Sequence, residues 1–94
     1  MDIKKELDAK GGVFFVEVDG KRLAKMTFIN AGPHKIIIDH TEADQSLKGA
    51  GVGVQLVESA VGFAREHNLK ILPLCPFAAA VFKKKAEDYK DVKA

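Results

Sequence analysis

The chain has a single cysteine, Cys75. No internal disulfide is possible, in keeping with a reducing compartment. No apolar run approaches the roughly 18 residues of a membrane-spanning helix. Residues 1–10 alternate charges with single hydrophobes and hold no apolar stretch of signal-peptide type. These absences point to a cytoplasmic protein. The net charge is only +2, too small to imply nucleic acid as a partner. One cysteine and three scattered histidines, His34, His40 and His67, lack the spacing of a metal site. No internal repeat and no low-complexity segment is present.

What remains is 94 residues, 47% hydrophobic and 30% charged, enough for one small domain with one core. Residues 2–10 are ambiguous. Ile3 and Leu7 are spaced for a helical turn, yet a short edge strand is also possible. Gly11-Gly12 breaks whatever precedes it. Residues 13–18 are β-branched and aromatic and read as a strand, Asp19-Gly20 as a two-residue hairpin turn, and residues 21–29 as the return strand. After a turn at 30–33, residues 35–41 form a third, well-buried strand around Ile36-Ile37-Ile38. From Gly53 the apolar positions Leu56, Val57, Ala60 and Ala64 recur at helical spacing. Gly62 inside that helix reads as permitting close packing on the sheet, and Asn68 as a left-handed cap. Residues 70–74 form a short strand parallel to its neighbour. Pro73 puts this strand at an edge or splays it. A second helix runs from Pro76 to about residue 85. The fold class is α/β: an antiparallel meander, a strand–helix–strand unit with splayed parallel strands, and a closing helix.

Three constellations carry chemistry. Lys48-Gly49-Ala50-Gly51-Val52-Gly53 opens the first helix with three glycines at alternate positions. Such a turn brings backbone N–H groups and the positive end of the helix dipole to an anion, and suits a pyrophosphate. It lacks the Gly-Lys-Ser/Thr ending of a Walker loop and the spacing of a dinucleotide loop. The alternative is a flexible loop before a helix. In Leu74-Cys75-Pro76-Phe77, Pro76 suits the first helical position, making Cys75 the N-cap. A thiol there faces unpaired N–H groups, which favours the thiolate; the alternative is a small buried core cysteine. His40 and Glu42 share one face of the third strand at its carboxyl end. They could take a proton from an attacking amine, or be a structural histidine beside a surface carboxylate. Lys83, Lys84, Lys85, Lys90 and Lys93, diluted by Glu87, Asp88 and Asp91, read as a solvated helix face and frayed tail, or as cations assisting a phosphate.

His40-Thr41-Glu42, the block 47–53 and Leu74-Cys75-Pro76-Phe77 resemble the small single-domain members of the GNAT acyl-CoA N-acyltransferase superfamily, in order and spacing over residues 13–92. Lys48, Gly51 and Gly53 fall on the fixed positions of the Gln/Arg-x-x-Gly-x-Gly/Ala signature, with lysine replacing a planar side chain. The subgroup's Arg-His-Pro-Glu-Tyr-like ending is kept only in an acidic residue and Tyr89. The resemblance implies one minimal domain, 1–94, that uses acetyl-CoA to acetylate an amine of a small molecule or protein. It places the pyrophosphate on the amides of Lys48, Gly49, Ala50, Gly51, Val52 and Gly53, with Thr41, Pro76 and Phe77 also touching the cofactor and the thioester near Cys75 and His40. His40 or Glu42 would take the amine proton. Cys75 would protonate the departing thiolate or carry the acyl group itself as a catalytic cysteine. The chain is short for the superfamily, which implies a shallow, open acceptor site. Its partners are then acyl-CoA and an unidentified amine, with no nucleic acid and no membrane, in a monomer or weak dimer. The competing reading is a non-catalytic acyl-CoA-binding module, which shares the glycine turn but needs neither Cys75 nor His40. A thiol redox domain would lack a resolving cysteine.

Overall fold

Alternating apolar residues become a five-stranded sheet in the computed structural model, which describes residues 2–47 and 49–94. The strands are β1 (Lys4–Leu7), β2 (Gly11–Val18), β3 (Lys21–Asn30), β4 (Lys35–Ala43) and β5 (Lys70–Pro73), side by side in that order. β1 to β4 pair antiparallel, and β5 lies parallel to β4. Helix α1 (Val52–His67) makes the crossover from β4 to its parallel neighbour β5; α2 (Pro76–Lys84) and α3 (Ala86–Tyr89) follow. The hairpin at Asp19-Gly20 has φ of 51° and 80°, the two positive values that a two-residue turn of matching twist requires.

All three helices pack on one face of the sheet. Phe14, Val16, Ala24, Met26, Phe28, Ile36 and Ile38 point toward it and meet Leu56, Val57, Ala60, Val61 and Ala64 of α1 and Ala78, Val81 and Phe82 of α2. On the opposite face, Phe15 is kept from water by the Arg22 guanidinium, 3.9 Å from its ring centroid.

Four expectations need correction or sharpening. The ambiguous N-terminal segment is an edge strand, β1. Gly11-Gly12 does not break it off; both glycines lie inside β2, where Gly11 pairs with β3 and Gly12 with both β1 and β3. Their reason is steric, since a Cβ on Gly11 would stand 2.0 Å from the Phe28 carbonyl oxygen. Gly62 does not pack on the sheet: it faces outward, and an added Cβ would meet nothing within 4 Å. The C-terminal segment is not frayed. Tyr89 and Val92 are buried in the core, and Ile71 N–H donates to the Val92 carbonyl at 2.6 Å. Arg65 fastens it, donating to both Asp91 carboxylate oxygens (2.9 and 3.1 Å) and to the Asp88 carbonyl (2.7 Å).

Two irregularities shape the end of the sheet. β5 pairs with β4 only as far as Pro73 opposite Ile38, whereas β4 continues to Ala43. Beyond Ile38, that edge of β4 has no strand beside it among the described residues. The second is a β-bulge: Thr27 pairs with His40 and Phe28 with Ile38, leaving Asp39 as the extra residue. Thr27 Oγ1 donates to the Asp39 carboxylate at 2.7 Å and pins the bulge.

Candidate active site

α1 begins one turn after a tight loop and carries no side-chain cap. Gly51, its N-cap residue, has φ of +72°, and Gly49 has +83°. The first intrahelical bond is Gln55 N–H to Gly51 C=O at 3.1 Å. The N–H groups of Val52, Gly53 and Val54 therefore have no acceptor within the helix. No acidic side chain lies in the first turn to neutralise them. Added Cβ atoms at Gly49 and Gly51 would meet nothing within 4 Å, so this end of the helix faces open space. Amides and dipole together make a place for an anion.

That helix start opens onto a cleft of about 490 Å³. Gly49, Gly51, Val52, Gly53 and Val54 line one side, Thr41, Glu42 and Ala43 of β4 the other, with Leu47 and Phe77 closing it. Of the residues expected to hold a cofactor, Gly49, Gly51, Val52, Gly53, Thr41 and Phe77 line this cleft. Ala50 and Pro76 do not, and the Ala50 N–H is already used, donating to the Leu47 carbonyl at 3.1 Å. Lys48 lies outside the described residues. Sequence reasoning missed Ala43 and Val54. Ala43 was hidden because the strand was ended at residue 41; Val54 was read as part of the helix, with the anion site confined to the turn before it. Lys83, Lys84, Lys85, Lys90 and Lys93 are all absent from the lining; Lys85 instead pairs with Glu58 at 3.1 Å.

Cys75 is the N-cap of α2, with Pro76 the first helical residue, as the sequence implied. Its Sγ accepts the Ala78 N–H at 3.3 Å and lies 3.1 Å from Thr41 Oγ1. The residue is buried, 5% exposed, in the core cluster. His40 and Glu42 point to the other face of β4. They are exposed, His40 Nε2 stands 3.2 Å from Glu42 Oε2, and Lys25 Nζ lies 3.4 Å from Glu42 Oε1. Hydrogen bonding from His40, reinforced by the charge of Lys25, holds the Glu42 carboxyl below its ordinary value. Glu42 thus stays ionised, and an Nε2–H donated to it leaves the His40 lone pair on Nδ1. The structure gathers two groups, Cys75–Thr41 and His40–Glu42, on opposite faces of one strand, with Thr41 and Glu42 both reaching the cleft.

The elements fit a recognisable class: a mixed five-stranded sheet whose last strand stops short of its parallel neighbour beside a glycine turn with no side-chain cap, the architecture of acyl-CoA acyltransferases. A family model described as GCN5-related N-acetyl-transferase matches residues 13–92, and the chain belongs to that family. It is in consequence an acetyl-CoA-dependent N-acetyltransferase by class. Among solved structures, a GCN5-like protein from Staphylococcus aureus is 34% identical, covers 99% of this chain and 87% of its own length, and superposes with a TM-score of 0.76. A ribosomal-protein-alanine N-acetyltransferase from Brucella melitensis is 16% identical over 83% of this chain, with a TM-score of 0.68. An acetyltransferase from Bacillus anthracis, solved with acetyl coenzyme A, is 18% identical over 83% of this chain, with a TM-score of 0.63. The chain spans 62% and 47% of these two longer proteins, which at such identities show the fold alone. Among curated proteins, none matches. No helix among the described residues is long and apolar enough to cross a membrane.

Proposed function

We propose that this minimal domain binds acetyl-CoA in the cleft between α1 and the free edge of β4 and acetylates a primary amine presented from the open face of the sheet. One observation carries the reading: the N–H groups of Val52, Gly53 and Val54, with no acceptor among the described residues, open onto a cleft whose far wall is strand edge with no described strand beside it. The first supplies an anion site, the second backbone groups for an amide-rich arm. Val52, Gly53 and Val54 would hold the diphosphate; Thr41, Ala43 and Phe77 would flank the arm. When bound, acetyl-CoA supplies the electrophilic thioester carbonyl and a thiolate leaving group.

The two groups on either face of β4 then take different roles. His40 accepts the proton of the attacking amine at Nδ1, while Glu42 orients the ring and stabilises the imidazolium through Nε2. Glu42 itself is the weaker base, because His40 and Lys25 favour its ionised form. On the core side, Thr41 Oγ1 would pass a proton from Cys75 Sγ, 3.1 Å away, to the departing sulfur; the Cys75 thiolate would regain a proton from solvent once coenzyme A leaves, as His40 releases the one taken from the amine. Cys75 is buried and caps α2 through the same sulfur, which favours direct transfer over a Cys75-bound acyl group. The open face around His40 suits a small amine or a protein side chain. A lone thiol and the absence of any membrane-spanning helix among the described residues agree with a cytoplasmic site of action.

Calorimetric titration with coenzyme A, followed by coenzyme A release from acetyl-CoA with mixed amines and lysine peptides, tests this. We expect binding, release with at least one acceptor, and a loss of kcat of about 10²-fold or more for His40→Ala with little change in KM for acetyl-CoA. Thr41→Val should lower kcat while leaving the melting temperature near that of the parent. Binding without release for any amine would replace this reading with a non-catalytic acyl-CoA-binding module. An acetyl adduct on Cys75 by intact mass would replace direct transfer with the covalent route.

A further inference from the structure

We infer that Phe77 is a positioning residue that sets the width of the cleft, and that residue 53 is glycine because the Phe77 ring fills the place of its side chain. The inference rests on the cleft being the acetyl-CoA site. The three glycines of the turn look alike in sequence but differ in structure. Gly49 and Gly51 have positive φ and open space where a Cβ would go. Gly53 is the second residue of α1, with no positive φ. A Cβ there would lie 2.4 Å from Cζ, 2.6 Å from Cε2 and 3.2 Å from Cε1 of Phe77. Position 53 therefore needs no unusual backbone; it needs the absence of a side chain.

Phe77 is the second residue of α2, directly after the Cys75 cap and Pro76. It is an uncommonly exposed aromatic, 42% accessible, and it lines the cleft. Its ring, carried at the start of α2, lies against the start of α1 at Gly53, in the same cleft that Thr41 lines. A methyl at position 53 would displace this ring from its present place in the cleft wall. Close ring-to-backbone packing thus keeps the passage from the anion site to the reacting end at its working width.

A double-mutant cycle on the full chain tests this. Gly53→Ala should raise KM for acetyl-CoA by roughly tenfold or more while keeping most of kcat, since the reacting groups are untouched. In a Phe77→Ala background the same change should leave KM within about twofold, because no ring remains to be displaced. Melting temperature gives an arm independent of catalysis: Gly53→Ala should raise it in the Phe77→Ala background, as alanine does in helices, and fail to do so in the parent. An equal effect of Gly53→Ala in both backgrounds, on KM and on melting, would overturn the inference and return Gly53 to a role in phosphate approach. A melting cycle that couples while KM does not move would also overturn it, since the ring would then be packing only. If the parent binds no acetyl-CoA, the functional reading fails, whereas the melting cycle still decides whether the ring seat exists.

Discussion

The same substitution at two glycines of α1 should move stability in opposite directions. Gly51→Ala and Gly62→Ala each add one methyl, and in both places it would meet nothing within 4 Å. Sterics therefore cancel, and the backbone decides. At Gly51, φ is +72°. An L-residue held in that region loses about 1–2 kcal/mol, offset by about 0.4–1 kcal/mol from a less flexible unfolded chain, for a net loss near 1 kcal/mol. Gly62 sits inside α1, where alanine is favoured over glycine by about 1 kcal/mol. For a domain of this size, about 1 kcal/mol corresponds to roughly 4–8 °C, so the two variants should melt about 8–16 °C apart on either side of the parent. Thermal melts and urea midpoints without ligand measure this directly. Coenzyme A titration adds a second contrast: Gly51→Ala should weaken binding and Gly62→Ala should leave it alone. If Gly51→Ala melted at or above the parent temperature, the left-handed turn at the helix start would not be the native conformation, and the uncapped amides would lose their support.

Gly11→Ala should be the most damaging of the glycine changes, because the Phe28 carbonyl in its way belongs to a paired strand and cannot swing aside. A loss of about 2–3 kcal/mol is expected from overpacking, visible as a lowered urea midpoint; a parent-like midpoint would show that β2 and β3 are not in the register described. Stability should also fall in acid. Glu42, Asp44, Glu58 and Asp91 all have carboxyls held below their ordinary values, by hydrogen bonds from His40, the Ser46 backbone, Tyr89 and Arg65 respectively. Folded values below unfolded ones mean that these contributions are whole above the ordinary 4.5 of Glu and 3.8 of Asp and are lost as pH falls through the folded values. A urea midpoint that stays flat from neutral pH down into that window would contradict these pairings. Each group is exposed, so a shallow decline is expected rather than a sharp collapse.

Much of this was readable from residue order, where local chemistry decides. Asp19-Gly20 could hardly be other than a hairpin, and Asn68 ends α1 with φ of 55°, as a left-handed cap should. Cys75 and Pro76 marked the start of α2 because capping and a fixed φ act within one turn. What was not readable depends on a neighbour from elsewhere in the chain. Gly11 and Gly12 look like a break until β3 is laid beside them. Gly62 looks like a packing residue until the helix is docked and turns it outward. The tail looked frayed because Tyr89 and Val92 sit on too short a segment to show a period, and its anchor, Arg65, lies 26 residues from Asp91. Phe77 belonged to a motif, but nothing in the order of residues pairs it with Gly53.

The bulge at Asp39 is the least legible feature and the one on which the site turns. Ile36 and Ile38 face the core. Had strict alternation continued, His40 and Glu42 would have followed them inward, beside Cys75, and Thr41 would have faced water. Burying a charged pair of that kind carries a desolvation penalty of several kcal/mol per ion. The extra residue reverses the parity. Thr41 turns in to meet the thiol at 3.1 Å, a small hydroxyl that can be satisfied there, while His40 and Glu42 stay in water against Lys25. Ending β5 at Pro73 then leaves this stretch of β4 open along its edge, so a ligand lying there is within reach of both faces at once. Neither irregularity would be sufficient alone. Without the bulge the proposed base, His40, would be buried, and with a longer β5 the edge between the two groups would be closed.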